Sequence, residues 1–132
     1  MKATTTLLTT LALVGVAAVI AAQQPGFKRT VLQQEKLSAA GRDAVTAIAE
    51  FQPGGTVGAH THPGEEICYV LEGSILLEQA GKPPVTLKAG QTFFIPNGQV
   101  HNATNKGSSV ARVLANYVVE SGKPVATPVP AK

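Results

Sequence analysis

The sequence of 132 residues contains no Trp and a single Cys, Cys68. One cysteine excludes an intramolecular disulfide, so the core alone must hold the fold, which a domain of this size can do. Aromatic residues make up 5% and charged residues 14% of the chain. The net charge is only +3, and one contributing residue, Lys2, lies in a segment expected to be removed. No basic run and no basic–aromatic interleaving occurs, so the electrostatic footprint of a nucleic-acid binder is missing. After residue 23 no stretch sustains a 3.6-residue apolar period, which argues against a helical domain. No internal repeat is present, and the length allows one domain.

A long apolar run does occur, at the start. Residues 1–22 read MKATTTLLTTLALVGVAAVIAA: one Lys, an apolar middle and small residues before the polar Gln23-Gln24-Pro25-Gly26. This is the layout of a secretory signal peptide, with the cut expected after Ala21 or Ala22. The alternative is an uncleaved membrane anchor, for which the apolar run is short, since about 20 residues are needed to span. A cleaved signal places the mature protein outside the cytoplasm, in the periplasm of a bacterium or secreted, with no stable membrane association.

From Phe27 onward the pattern is that of short strands. Gly41 to Phe51 alternates, with Val45, Ala47, Ala49 and Phe51 on one side, as in a half-buried strand. Further strands are expected at Phe27–Glu35, Ile67–Leu71, Ser74–Gln79, Val85–Leu87, Thr92–Ile95 and Val110–Val119, with Thr56 to Thr61 extended as well, separated by Gly/Pro turns. Gln33 to Ala39 is the one place where a helical turn is conceivable. Regular strands with turns every eight to twelve residues predict an all-β sandwich or barrel. From Ser121 a Pro-rich tail, residues 121–132, is expected to be extended, either loosely docked or disordered.

All three histidines of the chain fall into one constellation. His60 and His62 form an HxH pair, and residues two apart on a strand face the same way. The carboxylates Glu65 and Glu66 follow across Pro63-Gly64, and His101 comes after a second turn. Three imidazoles and a carboxylate suit one divalent metal, with Zn, Mn, Fe, Ni and Cu all open. Four protein ligands leave a position free on a five- or six-coordinate ion, as a catalytic site requires.

The stretch GGTVGAHTHPGEEICYVLEG, Gly54 to Gly73, sets Gly54, His60, His62, Glu66 and Gly73 at fixed intervals. The stretch GQTFFIPNGQVHNATN does the same for Gly90, Pro96, Gly98, His101 and Asn105. These resemble the two motifs of the cupin superfamily in order and spacing. Gln91 stands where many cupins carry Asp, a turn residue and not a ligand. The short gap between motifs resembles the small single-domain bacterial cupins.

The resemblance implies a small β-barrel (double-stranded β-helix, or jelly roll) over residues 23–120. It implies a metal held by His60, His62, Glu66 and His101, and it selects Glu66 over Glu65. Alternation then turns Cys68 and Val70 inward with Glu66, and Ile67 and Tyr69 outward. Cys68 is read as a small buried hydrophobe, the alternative being a thiolate near the metal. Asn105 is expected to bind backbone near the end of the barrel. One of Phe93 and Phe94 is expected to face the pocket or core.

Fold does not choose among cupin activities. The first expectation is a metal-dependent dioxygenase, isomerase or lyase acting on a small organic molecule. In that reading Glu66 doubles as general base, as the quercetinase-like branch implies. The alternatives are a non-catalytic protein that binds a metal or small ligand, and a barrel that the metal merely stabilises. A homodimer is expected from the likeness to small cupins. A second polar residue in the pocket would favour an enzyme, and Gln91, Arg112 and Tyr117 are the candidates whose facing the pattern leaves open.

Overall fold

A computed structural model describes residues 24–130; the expected signal segment, residues 1–22, lies outside them. The described chain is built from ten strands: β1 (Phe27–Lys36), β2 (Arg42–Phe51), β3 (His60–Thr61), β4 (Gly64–Glu72), β5 (Ser74–Gln79), β6 (Val85–Lys88), β7 (Thr92–Ile95), β8 (His101–Thr104), β9 (Ala111–Glu120) and β10 (Thr127–Pro128). They form two five-stranded antiparallel sheets, ordered β1-β2-β9-β4-β7 and β10-β3-β8-β5-β6. This is the expected jelly-roll barrel.

Alternation decides what lies between the sheets. On β2 the side chains of Val45, Ala47, Ala49 and Phe51 are buried, and on β9 those of Ala111, Val113, Ala115, Tyr117 and Val119. Register aligns the two rows: Val45 pairs with Tyr117, Ala47 with Ala115 and Ala49 with Val113. The small Ala47–Ala115 pair between two bulkier pairs lets side chains of the facing sheet pack in from above. Ile75, Leu77, Leu87 and Ile95 complete the core.

Two local devices close the ends, one polar and one steric. Asn105 is fully buried and bridges three strands' ends: its Nδ2 donates to the carbonyls of Phe51 (3.0 Å) and Ser109 (2.7 Å), and its Oδ1 accepts from the amide of Gly107 (2.8 Å). This is the backbone role expected of it. Gly73 turns β4 into β5 with φ +70°, and a Cβ there would meet the Val110 carbonyl at 2.7 Å. Only glycine satisfies both demands.

Three expectations are refined. Gln33 to Ala39 makes no helical turn: β1 continues to Lys36 through a bulge between Val31 and Gln33, because its ladder to β2 satisfies the backbone that a helical turn would otherwise have to serve. The extended stretch before His62 is strand only at His60–Thr61, with a lone bridge from Thr56 to Thr104. The tail is docked: β10 pairs Thr127 with Thr61 and Pro128 with His60, and the Val129 amide donates to the Ala59 carbonyl at 2.9 Å.

Candidate metal centre

His60 sits on β3 directly opposite His101 at the start of β8. Their rings stack obliquely with centroids 4.2 Å apart, and His62 stands 4.8 Å from His60 and 5.0 Å from His101. Glu66 comes from the other sheet, on β4 between Tyr117 of β9 and Ile95 of β7. Gly64 makes that placement possible. A Cβ at this position would lie 1.9 Å from the Val118 carbonyl oxygen, so only glycine lets β4 start flush against β9. Two residues later, Glu66 points inward.

All four side chains are buried, none more than 6% exposed. One ring nitrogen from each of the three histidines lies within 4.8 Å of those of the other two. Glu66 Oε2 joins the group through His101 Nε2 at 3.2 Å and His62 Nε2 at 3.3 Å.

The far side of each ring determines what the near side offers. The Nδ1 of His60 is 2.7 Å from the Gly58 carbonyl, that of His101 is 2.9 Å from the Gln99 carbonyl, and that of His62 is 2.5 Å from the Val125 carbonyl. A carbonyl can only accept, so each Nδ1 carries the hydrogen in the neutral ring. Each Nε2 is therefore a bare lone pair, and His62 Nε2 is buried with no hydrogen-bond partner. Carbonyl-anchored imidazoles of this kind are the usual outer support of metal ligands. The residues fit a divalent ion: three neutral nitrogens, and a buried carboxylate in need of positive charge.

The electrostatics agree. Burial, with the neighbouring His101, lowers His60 to about 3, so the ring stays neutral. Burial pushes the Glu66 carboxyl up; hydrogen bonds from His101 and His62 outweigh it and hold it below the usual range when their Nε2 atoms carry protons, and with the protons on Nδ1 a bound cation would take that part. Glu66 is thus an anion. Cys68 lies inward beside Glu66, and burial together with that carboxylate pushes its thiol far up. A thiol so disfavoured from ionising is inert, in keeping with its reading as a small buried hydrophobe.

Of the three open candidates, Tyr117 faces the centre, its ring 4.9 Å from His62. Arg112 faces outward, bound to Glu50 and Glu72. Gln91 caps the Lys88 amide from the surface. Phe93 packs against the core while Phe94 is exposed.

A void of about 20 Å³ sits among His60, Glu66, His101, Tyr117 and Phe93, with Arg29 at its edge. That is room for about one water-sized occupant. A vestibule of about 360 Å³ adjoins it, sharing His60, Phe27, Val57 and Arg29, and is roofed by Ala126, Pro128 and Val129 of the tail. Sequence reasoning passed over both Arg29 and the tail. Phe27 is buried two residues before Arg29, but Val31 two residues after it is exposed, so alternation gave no signal for the first. Nothing in the tail's composition marked Val125 as a partner of His62.

The family model for the cupin domain matches residues 47–120. The chain belongs to the cupin family. Germin-like protein 1 of Brassica napus is 37% identical over 102 residues, which is 74% of this chain and 47% of that protein. The oxalate-binding protein of Thermotoga maritima is 41% identical over 74 residues, 55% of this chain and 60% of that one. The chain thus spans less than two thirds of either relative. Among solved structures, the polyketide cyclase RemF of Streptomyces resistomycificus superposes with a TM-score of 0.64 at 27% identity, covering 84% of this chain and 78% of RemF.

Proposed function

We propose that this cupin is an exported protein that holds one divalent transition metal through His60, His62, Glu66 and His101 and presents it to a small organic molecule. The observation that carries the reading is the set of three Nδ1–carbonyl contacts, which leave three Nε2 lone pairs converging beside a buried carboxylate. Zn, Mn, Fe, Ni and Cu all suit such ligands, and outside the cytoplasm raw affinity favours Cu and Zn.

The enzyme reading is a dioxygenase, isomerase or lyase. A bound metal would supply Lewis acidity to substrate oxygens. The chain's own part is to exclude water with the apolar walls and to hold substrate beside Tyr117. A carboxyl held below its usual range is a weak proton acceptor. Glu66 therefore serves first as ligand, and its general-base role, with the kinship to the quercetinase-like branch, is the lesser part of the proposal. The relative named as an oxalate-binding protein favours the alternative, binding without turnover. Export rests on residues 1–22, with the mature protein starting near Gln23; the mass of protein recovered from outside the cytoplasm checks it.

The test is elemental analysis of protein purified without added metal, beside a His60→Ala/His62→Ala double variant. About one metal per chain, and none in the variant, is expected. Failure to take up stoichiometric metal, even after reloading with each of the five ions, would overturn the reading.

A further inference from the structure

Arg29 is the one charged side chain that lines the vestibule, and the metal centre does not use it. Its Nε is buried and has no hydrogen-bond partner. Among the described residues no carboxylate lies within ion-pair distance of it, whereas the half-buried, outward-facing Arg112 has two. Its guanidinium carbon sits 5.4 Å from the Phe27 ring centroid and 5.8 Å from that of Tyr117. These aromatic faces hold the group in place, Tyr117 also through its hydroxyl, and its Nε is left without a partner. It lines both the inner void and the vestibule, beside His60 in each.

A guanidinium carries five donors in a planar fork that matches a carboxylate. Leaving a buried donor unpaired is costly, so the cost falls away only when a ligand fills it. Apart from Arg29, Gln24 and His60, the side chains that line the vestibule are apolar, with Phe27, Val57, Pro128 and Val129 among its walls. Apolar walls with a few placed polar groups make a small-molecule site. A two-carbon diacid would leave these walls uncovered and bring a second charge against them.

We propose that the vestibule binds an organic monoanion with an apolar body, its carboxylate paired with Arg29 beside His60 and its body lying against Val57 and the C-terminal strand. This rests on the reading of the adjacent histidines as a metal centre that receives a small molecule, and names the chemical class of that molecule.

The probes are hexanoate, its uncharged isostere hexanamide, and oxalate, titrated calorimetrically into zinc-loaded protein and into Arg29→Gln and Arg29→Lys variants. Hexanoate should bind roughly tenfold or more tighter than hexanamide, the scale of a charge-assisted pair. It should also bind tighter than oxalate. Arg29→Gln should abolish the preference for hexanoate over hexanamide, and Arg29→Lys should restore part of it. Both variants should keep the native metal content and unfolding temperature. Equal binding of hexanoate and hexanamide, oxalate binding as tightly as hexanoate, or unchanged hexanoate affinity in Arg29→Gln would each overturn the proposal. Metal content, read on the same preparations, separates the two readings. Arg29-dependent binding in a protein that takes up no metal would sustain the anion site and sink the metal centre. Stoichiometric metal without Arg29-dependent binding would do the reverse.

Discussion

Ending the chain at Lys123 isolates the contribution of the tail to the metal centre. The cut keeps the Ser121 hydroxyl on Asp43 (2.6 Å) and removes residues 124–132. What goes is the Val125 carbonyl at 2.5 Å from His62 Nδ1, the two-residue β10–β3 pairing and the Val129–Ala59 hydrogen bond. His62 is 1% exposed, so its N–H is left without a partner until water reaches it. An unsatisfied buried donor costs about 1–3 kcal/mol. Losing the outer support of a ligating histidine independently costs about 10- to 100-fold in metal affinity, or about 1.4–2.7 kcal/mol. The two routes agree. Because the cut also opens the site to water, the lower end is expected: about tenfold weaker zinc binding, measured by competition with a chromophoric chelator near pH 7.5. The β-sheet circular dichroism should be unchanged, since both sheets keep their other strands. Zinc affinity within twofold of the full chain would refute the argument that the Val125 carbonyl orients His62.

Acid should act in two ways. In the metal-free protein His60 has its pKa lowered from 6.5 to about 3, so between those values the unfolded chain binds the extra proton. Stability is therefore constant above the unfolded value and falls as pH drops below it, by about 2 kcal/mol at pH 5. Urea unfolding at pH 7.5 and 5 checks this, and His60→Ala should flatten the dependence. In the metal-loaded protein, acidification to about pH 5 should release the metal as histidine protonation competes; full retention would count against three imidazole ligands. Gly64→Ala would drive a Cβ into the Val118 carbonyl and should cost about 3 kcal/mol or more, seen as a large fall in the unfolding temperature. Ile67 and Phe94 pair across β4 and β7 and are 49% and 51% exposed, with Tyr69 and Leu71 alongside. A homodimer through this face is expected, and light scattering should give twice the chain mass for the native protein and the single-chain mass for Ile67→Glu/Phe94→Glu.

Much of this structure is legible in the sequence because period-two alternation is a local property. It gave the buried row of β2, the inward set Glu66, Cys68 and Val70, and the outward Ile67 and Tyr69. It also put His60 and His62 on one side, although His62 lies just past the end of β3. What stayed hidden depends on partners far along the chain. Tyr117 and Arg112 sit on the same strand, and only the pairing of β9 with β2 and β4 shows that the first faces the histidines and the second meets Glu50 and Glu72. Arg29 sits in an edge strand whose remaining residues are mostly exposed. A charge among exposed neighbours reads as solvated, and the vestibule that contradicts this is closed by residues about 100 positions away.

The three histidines divide along the same line. His60 and His101 are each oriented by a carbonyl two residues earlier, Gly58 and Gln99. Those contacts are built into the local turns that carry the rings, so whatever folds the two turns also sets two of the three lone pairs. His62 is oriented by a carbonyl 63 residues later, which is available only once the tail has crossed β3. The same tail residues roof the vestibule beside Arg29. One docking event therefore fixes the third imidazole and closes the apolar pocket together. A ligand that fills the pocket should hold the tail down, and a held tail should tighten the metal, because each stabilises the one arrangement that serves both. Hexanoate should consequently raise zinc affinity in the full chain and leave it unchanged in the chain ending at Lys123; an equal effect on both would break the link between the pocket and His62.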